Sequence, residues 1–521
     1  AFNIKIGVFN MIDNTHFDIL NVIETHGTYQ PEKLAICCDG VKRQWRDLRE
    51  NINKVANFFK KIGVEKGDNI ALLIGNRPEI IELIFGIVKM GACVVPLSGL
   101  LTKEQVTVLV NNSNAKLFIA DYDFVNLVTS DLSQFKNIGE EKLLFLGGDA
   151  NCWEKIALEE KEYSFEYNCA PEDNFNIIYS SGTTGVPKGI VQTHRARSHW
   201  ATSNAIEMSF NSESKSLTTT ALYSNGTWLM MLPTLFVGGT LHVMDGFDAN
   251  AFVELVKNEK ITHTFLVPPQ FSAILSLENL QKNCFSSLKT VLSAGSPLRL
   301  DIKENILLRI SENLFELYGF SEGFATMLKP YDQRKKFGSV GTPVLGFEIK
   351  IIDEEGKECP SNVAGEIAGY GAGMMKEYYN EEELTNNLIW TDQRGRSFIK
   401  SGDIGSLDED GYLTILDRKK DMIISGGLNV FPVDIEEVVS KHPDITDVTV
   451  IGVPHEKWGE TCLALIIPRH GVEIDCDEVK KWCNEKLAKH QRLHNVEIRE
   501  EFPRNALGKV LKRILREPYW G

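Results

Sequence analysis

Short apolar runs alternate with amphipathic stretches through the first four-fifths of the chain. NIALLI (69–74) has strand length, RPEIIELIFGIVKMG (77–91) spaces its apolar residues as a helix does, and ACVVPLS (92–98) is strand-like again. That order predicts a βαβ unit. The same rhythm returns at THTFLVPP (262–269) and LKTVLSAG (288–295), so a large α/β region with at least partly parallel sheets is expected. Between 338 and 370 the pattern shifts to short strands split by turn signals, which predicts a smaller β subdomain. Beyond GYLTILDRKKDMII the last part of the chain has its own alternation: DVTVIGV, LALIIPR, a helix near 475–488 and VEIREEF. The expected division is 1–416 and 417–521, cut at Asp417, because the run Asp-Arg-Lys-Lys-Asp is charged and expected at the surface.

Composition changes the picture mainly by exclusion. The chain has 521 residues, 43% hydrophobic and 24% charged, with a net charge of −15. A nucleic-acid partner is not expected from so acidic a chain. The longest apolar run, Trp228 to Gly238, is interrupted by Pro233 and is shorter than the ~18 residues that would suggest a membrane helix. The first twenty residues lack a basic cluster before an apolar core, so no secretory signal and no transmembrane segment are expected. Ten cysteines are scattered without a CxxC pair, which fits reduced thiols in the cytoplasm better than a metal cluster.

The candidate chemistry starts after the apolar run Phe175–Tyr179. There the chain reads Ser180, Ser181, Gly182, Thr183, Thr184, Gly185, Val186, Pro187, Lys188, Gly189. Glycines let successive N–H groups converge, the hydroxyls add donors and Lys188 adds a positive charge, a combination suited to a polyphosphate. It is not the Walker pattern, which needs Gly-Lys-Ser/Thr in succession. An ordinary Gly/Ser turn between a strand and a helix is the competing interpretation of the loop alone.

Further motifs follow in order: LYGFSEG (317–323), GSVGTP (338–343), KSGDIG (400–405), DRKKDMIISGGLNVFPVDIEE (417–437), VPHEKWGE (453–460) and PRNALGKVLKR (503–513). With the loop, these resemble the adenylate-forming superfamily of acyl-CoA synthetases, peptide-synthetase adenylation domains and beetle luciferases. The likeness runs from about residue 40 to the end, and its pattern is closest to fatty-acid or related acyl-CoA ligases. It implies an α/β fold: a large N-terminal region of α/β sheets with a β subdomain, and a small mobile α+β C-terminal domain.

The resemblance also implies site residues. Lys509, Glu322, Thr183 and Lys188 would be catalytic, with Mg²⁺ on Glu322 and Thr183; a hard carboxylate is the ligand type Mg²⁺ takes alongside phosphates. ATP would lie among Ser180, Ser181, Gly182, Thr184, Gly185, Ala294, Gly295, Ser296, Tyr318, Gly319 and Ser321. Tyr318 would pack on adenine, Asp403 would accept the ribose hydroxyls and Arg418 would reach ribose or phosphate. His194 is expected to be structural.

Two half-reactions are implied. A carboxylate attacks the α-phosphate of ATP, with Lys509 beside it; then, after the small domain turns about Asp417, coenzyme A attacks the acyl-adenylate near Gly426 and Gly427. The acyl pocket would include Tyr223, Ser224, Gly226, Trp228 and Phe320. Ser224 stands where many members carry histidine, Gly226 leaves room and Trp228 matches a gating position, so a medium- or long-chain fatty acid is the expected substrate. An aryl-acid or carnitine-type CoA ligase, and an acyl-AMP ligase loading a carrier protein, are the alternatives. A homodimer is left open.

Overall fold

A computed structural model describes residues 18–148, 151–158, 169–180, 188–425, 428–504 and 508–520. The expected βαβ unit forms: strands Asn69–Leu73 and Cys93–Pro96 pair in parallel, joined through helix Pro78–Lys89. Pro78 occupies the first helical position, where its missing N–H costs nothing. All residues of that helix except Glu79 are buried, because it is packed from both sides. It touches Cys93–Pro96 of one sheet and Leu34–Cys38 of another, and helix Trp45–Lys61 lies against it. Close packing there depends on Gly86, where an added Cβ would stand 2.2 Å from Val55 Cγ1.

The two flanking sheets hold the site. The seven-stranded one runs Glu377–Tyr378, Lys188–Thr193, Asn174–Ser180, Cys93–Pro96, Asn69–Leu73, Leu117–Asp121, Leu143–Leu146. The nine-stranded one is parallel through its middle, where Leu314–Gly319, Thr290–Ser293, His263–Leu266 and Lys215–Thr218 lie side by side, and antiparallel at both edges. Parallel strands buried on both faces read as short continuous apolar runs, which is why THTFLVPP and LKTVLSAG were recognisable.

The β subdomain also forms: Phe347–Ile352, Gly365–Gly371, Ser397–Leu407, Ile389–Thr391 and Leu413–Arg418 make an antiparallel sheet. The C-terminal part contains strands Ile423–Ser425, Leu428–Val430, Ile445–His455, Gly459–Pro468 and Leu493–Ile498, with helices Pro432–Ser440, Cys476–Asn484 and Lys512–Trp520.

The charged run at the expected division splits. Lys419 and Lys420 are exposed, whereas Asp417 and Arg418 are half-buried at the end of a strand. Lys512, nearly a hundred residues later, is responsible: it pairs with Glu436 at 2.8 Å and its charge acts on the Asp417 carboxylate. Asp417 also accepts N–H from Arg418 at 2.6 Å and Val433 at 3.3 Å, while burial pushes it up to about 6. The apolar run from Trp228 becomes the buried helix Trp228–Phe236. Among the described residues, no helix is long and apolar enough to cross a membrane.

Candidate active site

The phosphate-type loop connects two antiparallel strands. Ser180 stands opposite Lys188, and Tyr179 opposite Gly189, so the loop is bracketed by a hairpin rather than leading from a strand into a helix. The β-branched residues Ile190, Val191 and Thr193 carry the second strand, and helix His194–Glu207 starts only afterwards, capped by the Thr193 hydroxyl, which accepts from Ala196 N at 3.2 Å. Lys188 and Gly189 are therefore strand residues. Ser181, Gly182, Thr183, Thr184 and Gly185 lie outside the described residues; Ser180 is described as the end of its strand.

Lys188 and Glu322 meet through a residue that the motifs did not reveal. The Lys188 ammonium sits 5.1 Å from the centre of the Tyr378 ring, and the Tyr378 hydroxyl donates to Glu322 Oε1 at 2.6 Å. Tyr378 is 4% exposed, and burial beside the Glu322 carboxylate raises its pKa, so it stays a phenol that can donate. Backbone bonds fix the arrangement: Met375 N donates to Glu322 O and Tyr379 N to Gly189 O, both at 2.7 Å. Gln192 Nε2 donates to Ser321 O at 2.9 Å. The available signal for Tyr378 was Glu-Tyr-Tyr after a glycine-rich run, an edge strand in outline but with no indication of its partner.

A metal fits this donor set. Glu322 offers one oriented carboxylate, and Mg²⁺ is commonly held by one or two carboxylates plus substrate phosphates. Among the described residues no group of three or more His, Cys, Asp or Glu converges as a preformed cage.

Of the residues expected on the nucleotide side, those near 294–296 and 318–319 gather at the carboxyl ends of neighbouring strands. Ala294, Gly295 and Ser296 follow strand Thr290–Ser293, and Tyr318 and Gly319 close the adjacent parallel strand Leu314–Gly319. Gly295 turns the chain there with φ +94°. Tyr318 is half-buried, and its hydroxyl donates to Asp403 Oδ2 at 2.8 Å. Burial, and then the Asp403 charge, raise the Tyr318 pKa well above its usual range. Asp403 and Arg418 are direct cross-strand partners, with Arg418 Nε 3.3 Å from Asp403 Oδ1. Two neighbours thus hold the carboxylate while leaving it further lone pairs.

Lys509 reaches the same crevice from the C-terminal part. It is half-buried, and burial, reinforced by the positive charge of Arg418, lowers its pKa to about 8, with Asp403 and Asp421 opposing. Its loop is tied down locally. Arg504 Nη1 donates to Gly508 O at 2.6 Å while Arg504 pairs with Asp447, and Leu511 N donates to Pro503 O at 2.8 Å. Across the division, Arg299 Nη1 donates to Thr446 O at 3.1 Å, and Gly508 lies against Pro269. Gly426 and Gly427 lie outside the described residues, between strands whose Ser425 and Leu428 face one another.

Four of the expected acyl residues fall in one segment, 223–228, and Phe320 lies on another. Tyr223, Ser224 and Gly226 are half-buried, and Asn76 anchors the segment by accepting from Leu222 N at 2.8 Å. Trp228 has no exposed surface: its indole N–H donates to Leu222 O at 2.8 Å and its ring packs edge-on to Phe175. Phe320 is half-buried, edge-on to Phe324 with ring centres 4.9 Å apart. His194 is buried, with Nδ1 2.9 Å from Asp18 Oδ2; burial would lower its pKa, but Asp18 and Cys169 together outweigh that and raise it to about 9.

The described residues thus form two groups: Lys188 and Glu322 joined through Tyr378, and Tyr318, Asp403 and Arg418 with Lys509 brought in from the C-terminal part. The same combination belongs to a known class. Residues 23–379 match the AMP-binding enzyme family, and residues 434–509 match the AMP-binding enzyme C-terminal domain. A feruloyl-CoA synthase from an Amycolatopsis species is 28% identical over 94% of this chain and 96% of its own. The long-chain-fatty-acid–CoA ligase FadD13 of Mycobacterium tuberculosis is 29% identical over 92% and 93%. ATP-bound MatB from Rhodopseudomonas palustris superposes with a TM-score of 0.88 at 26% identity, covering 96% of this chain and 99% of that one. The chain belongs to the AMP-binding enzyme family, within the AMP-forming acyl-CoA ligases of the adenylate-forming superfamily.

Proposed function

We propose that this enzyme activates a medium- or long-chain carboxylic acid with ATP and Mg²⁺ and passes the acyl group to coenzyme A, in the cytoplasm. The observation that carries the reading is the delivery of Lys509 into the crevice of Asp403 and Arg418. In the first step the acid's carboxylate attacks the α-phosphate, the bond to the bridging oxygen breaks and pyrophosphate leaves. Negative charge builds on the α-phosphate, where Lys509 and Lys188 stabilise it and Asp403 holds the ribose. Mg²⁺, when bound at Glu322, would neutralise phosphate charge. Tyr378 keeps Glu322 in place, and Tyr318 does the same for Asp403.

In the second step the thiol of coenzyme A attacks the acyl carbonyl, and AMP leaves. The C-terminal domain turns about Asp417 between the steps, which withdraws Lys509 and brings Gly426 and Gly427 to the carbonyl. FadD13, named for long-chain fatty acids, supports the chain class; the feruloyl-CoA synthase supports an aryl acid as second reading. Ten unpaired cysteines suit a reducing compartment.

The test is thioester formation across fatty, aromatic and short acids, with coenzyme A or a carrier protein as acceptor. Thioester formed fastest from octanoate or dodecanoate and coenzyme A is expected. A preference for benzoate, coumarate or acetate would overturn the chain class, and transfer to carrier protein alone would overturn the acceptor.

A further inference from the structure

Arg197 is a buried charge that the chemistry above leaves unused. It lies on helix His194–Glu207 and has no exposed surface. Of its five N–H donors, Nε bonds Asn176 Oδ1 at 2.7 Å, and neither Nη1 nor Nη2 has an acceptor. The Asn176 Nδ2 group beside it is also buried without an acceptor. No carboxylate acts on the guanidinium, and burial alone depresses its basicity.

Its other neighbours are two indoles. The guanidinium carbon lies 4.5 Å from the Trp228 ring centre and 4.9 Å from that of Trp200. Stacking recovers part of the desolvation cost but satisfies no N–H. An apolar side chain of similar volume would fill this space at lower cost, so the cation calls for a partner that is sometimes present. The unpartnered atoms of Arg197 and Asn176 are all donors, and the one acceptor left over beside them among the described residues, Gln192 Oε1 on the residue opposite Asn176, is neutral and cannot balance the charge. The missing group is therefore an acceptor, and a carboxylate matches the paired Nη geometry.

The position in the fold indicates where that acceptor comes from. Trp228 ends the segment Tyr223–Trp228 expected to line the acyl pocket, and the Arg197 guanidinium lies over its ring. We propose that Arg197 and Asn176 form the remote end of the acyl pocket and bind a second carboxylate, so that the substrate is a dicarboxylic acid activated at one end. This inference rests on the acyl-CoA ligase reading and its pocket. Both Nη atoms are sealed from solvent, so the chain end reaches them by displacing Trp200, the half-buried outer ring, whose indole N–H donates to Gly373 O at 2.8 Å.

The experiment compares octanoate with octanedioate and dodecanoate with dodecanedioate, by pyrophosphate release and by thermal shift. Wild-type enzyme is expected to favour the diacids, and Arg197→Leu to lower diacid kcat/KM by ~30-fold or more while leaving the monoacids nearly unchanged, as for loss of one partner of a buried charge pair. Arg197→Lys should recover part of the diacid preference. A diacid should raise the melting temperature of wild-type protein but not of Arg197→Leu, with the ATP-induced shift kept in both as the measure of folding. Equal losses for mono- and diacids in Arg197→Leu would make the arginine purely structural and overturn the inference, leaving the ligase reading intact. If no acid of either series releases pyrophosphate, the chain-class reading fails, and the thermal shift alone decides whether Arg197 binds the diacid.

Discussion

Gly508→Ala should separate the two half-reactions, because its two costs arise in different places. The backbone at Gly508 has φ +77°, and a Cβ built there lies 2.9 Å from Pro269 Cγ and 3.3 Å from Cδ. Left-handed backbone costs an alanine about 1–2 kcal/mol, and this strain travels with the loop into any orientation in which the loop keeps its shape. The proline contact exists only where the loop meets the N-terminal part, as it does with Lys509 in the crevice. Relieving such crowding costs about 1–3 kcal/mol. Adenylation therefore loses about 2–5 kcal/mol, a slowing of ~30-fold to several thousandfold, whereas thioester formation loses at most the loop strain, ~5- to 30-fold. The assay measures acid-dependent pyrophosphate release beside conversion of supplied acyl-AMP and coenzyme A. Equal factors in both would refute the link between the docked loop and adenylation.

Three further changes address the remaining groups. Tyr378→Phe removes the hydroxyl that holds Glu322 but keeps the ring beneath Lys188; losing a bond to a charged group costs about 1.5–3 kcal/mol. Pyrophosphate release at low Mg²⁺ should fall ~10- to 100-fold and recover as Mg²⁺ is raised, and an unchanged Mg²⁺ dependence would count against the clamp. Glu322→Ala should cost at least ~10²-fold in adenylation at any Mg²⁺ concentration, the scale for one preorganised electrostatic group. Lys509 is lowered to about 8 in the free enzyme and must be protonated to meet the α-phosphate, so adenylation kcat/KM should decline as pH rises through about 8. Lys509→Arg should flatten that limb at reduced rate, and a limb that persists in the arginine variant would assign it to another group.

Local pattern was enough for the parts of the fold that short apolar runs encode. The βαβ unit at 69–98 and the neighbouring strands His263–Leu266 and Thr290–Ser293 appear where their runs place them. Motif resemblance drew attention to Tyr318, Asp403 and Arg418, and the structure brings these three together. What was not legible depends on distant partners. A charged run at Asp417 looks exposed until Lys512 and Glu436 cover it, and Tyr378 looks like any edge-strand tyrosine until Glu322 and Lys188 close on it from two other elements. Arg197 drew no attention in the sequence, because its burial depends on Trp200 and on Trp228, thirty-one positions later.

The most direct test of the ligase chemistry is mass spectrometry of the products made from ATP, a carboxylic acid and the enzyme, with and without coenzyme A. Acyl-CoA and AMP in equal amounts with coenzyme A, and enzyme-bound acyl-AMP with pyrophosphate without it, are the predicted result. ADP and inorganic phosphate as the nucleotide products, or AMP released at a rate indifferent to the acid, would contradict it.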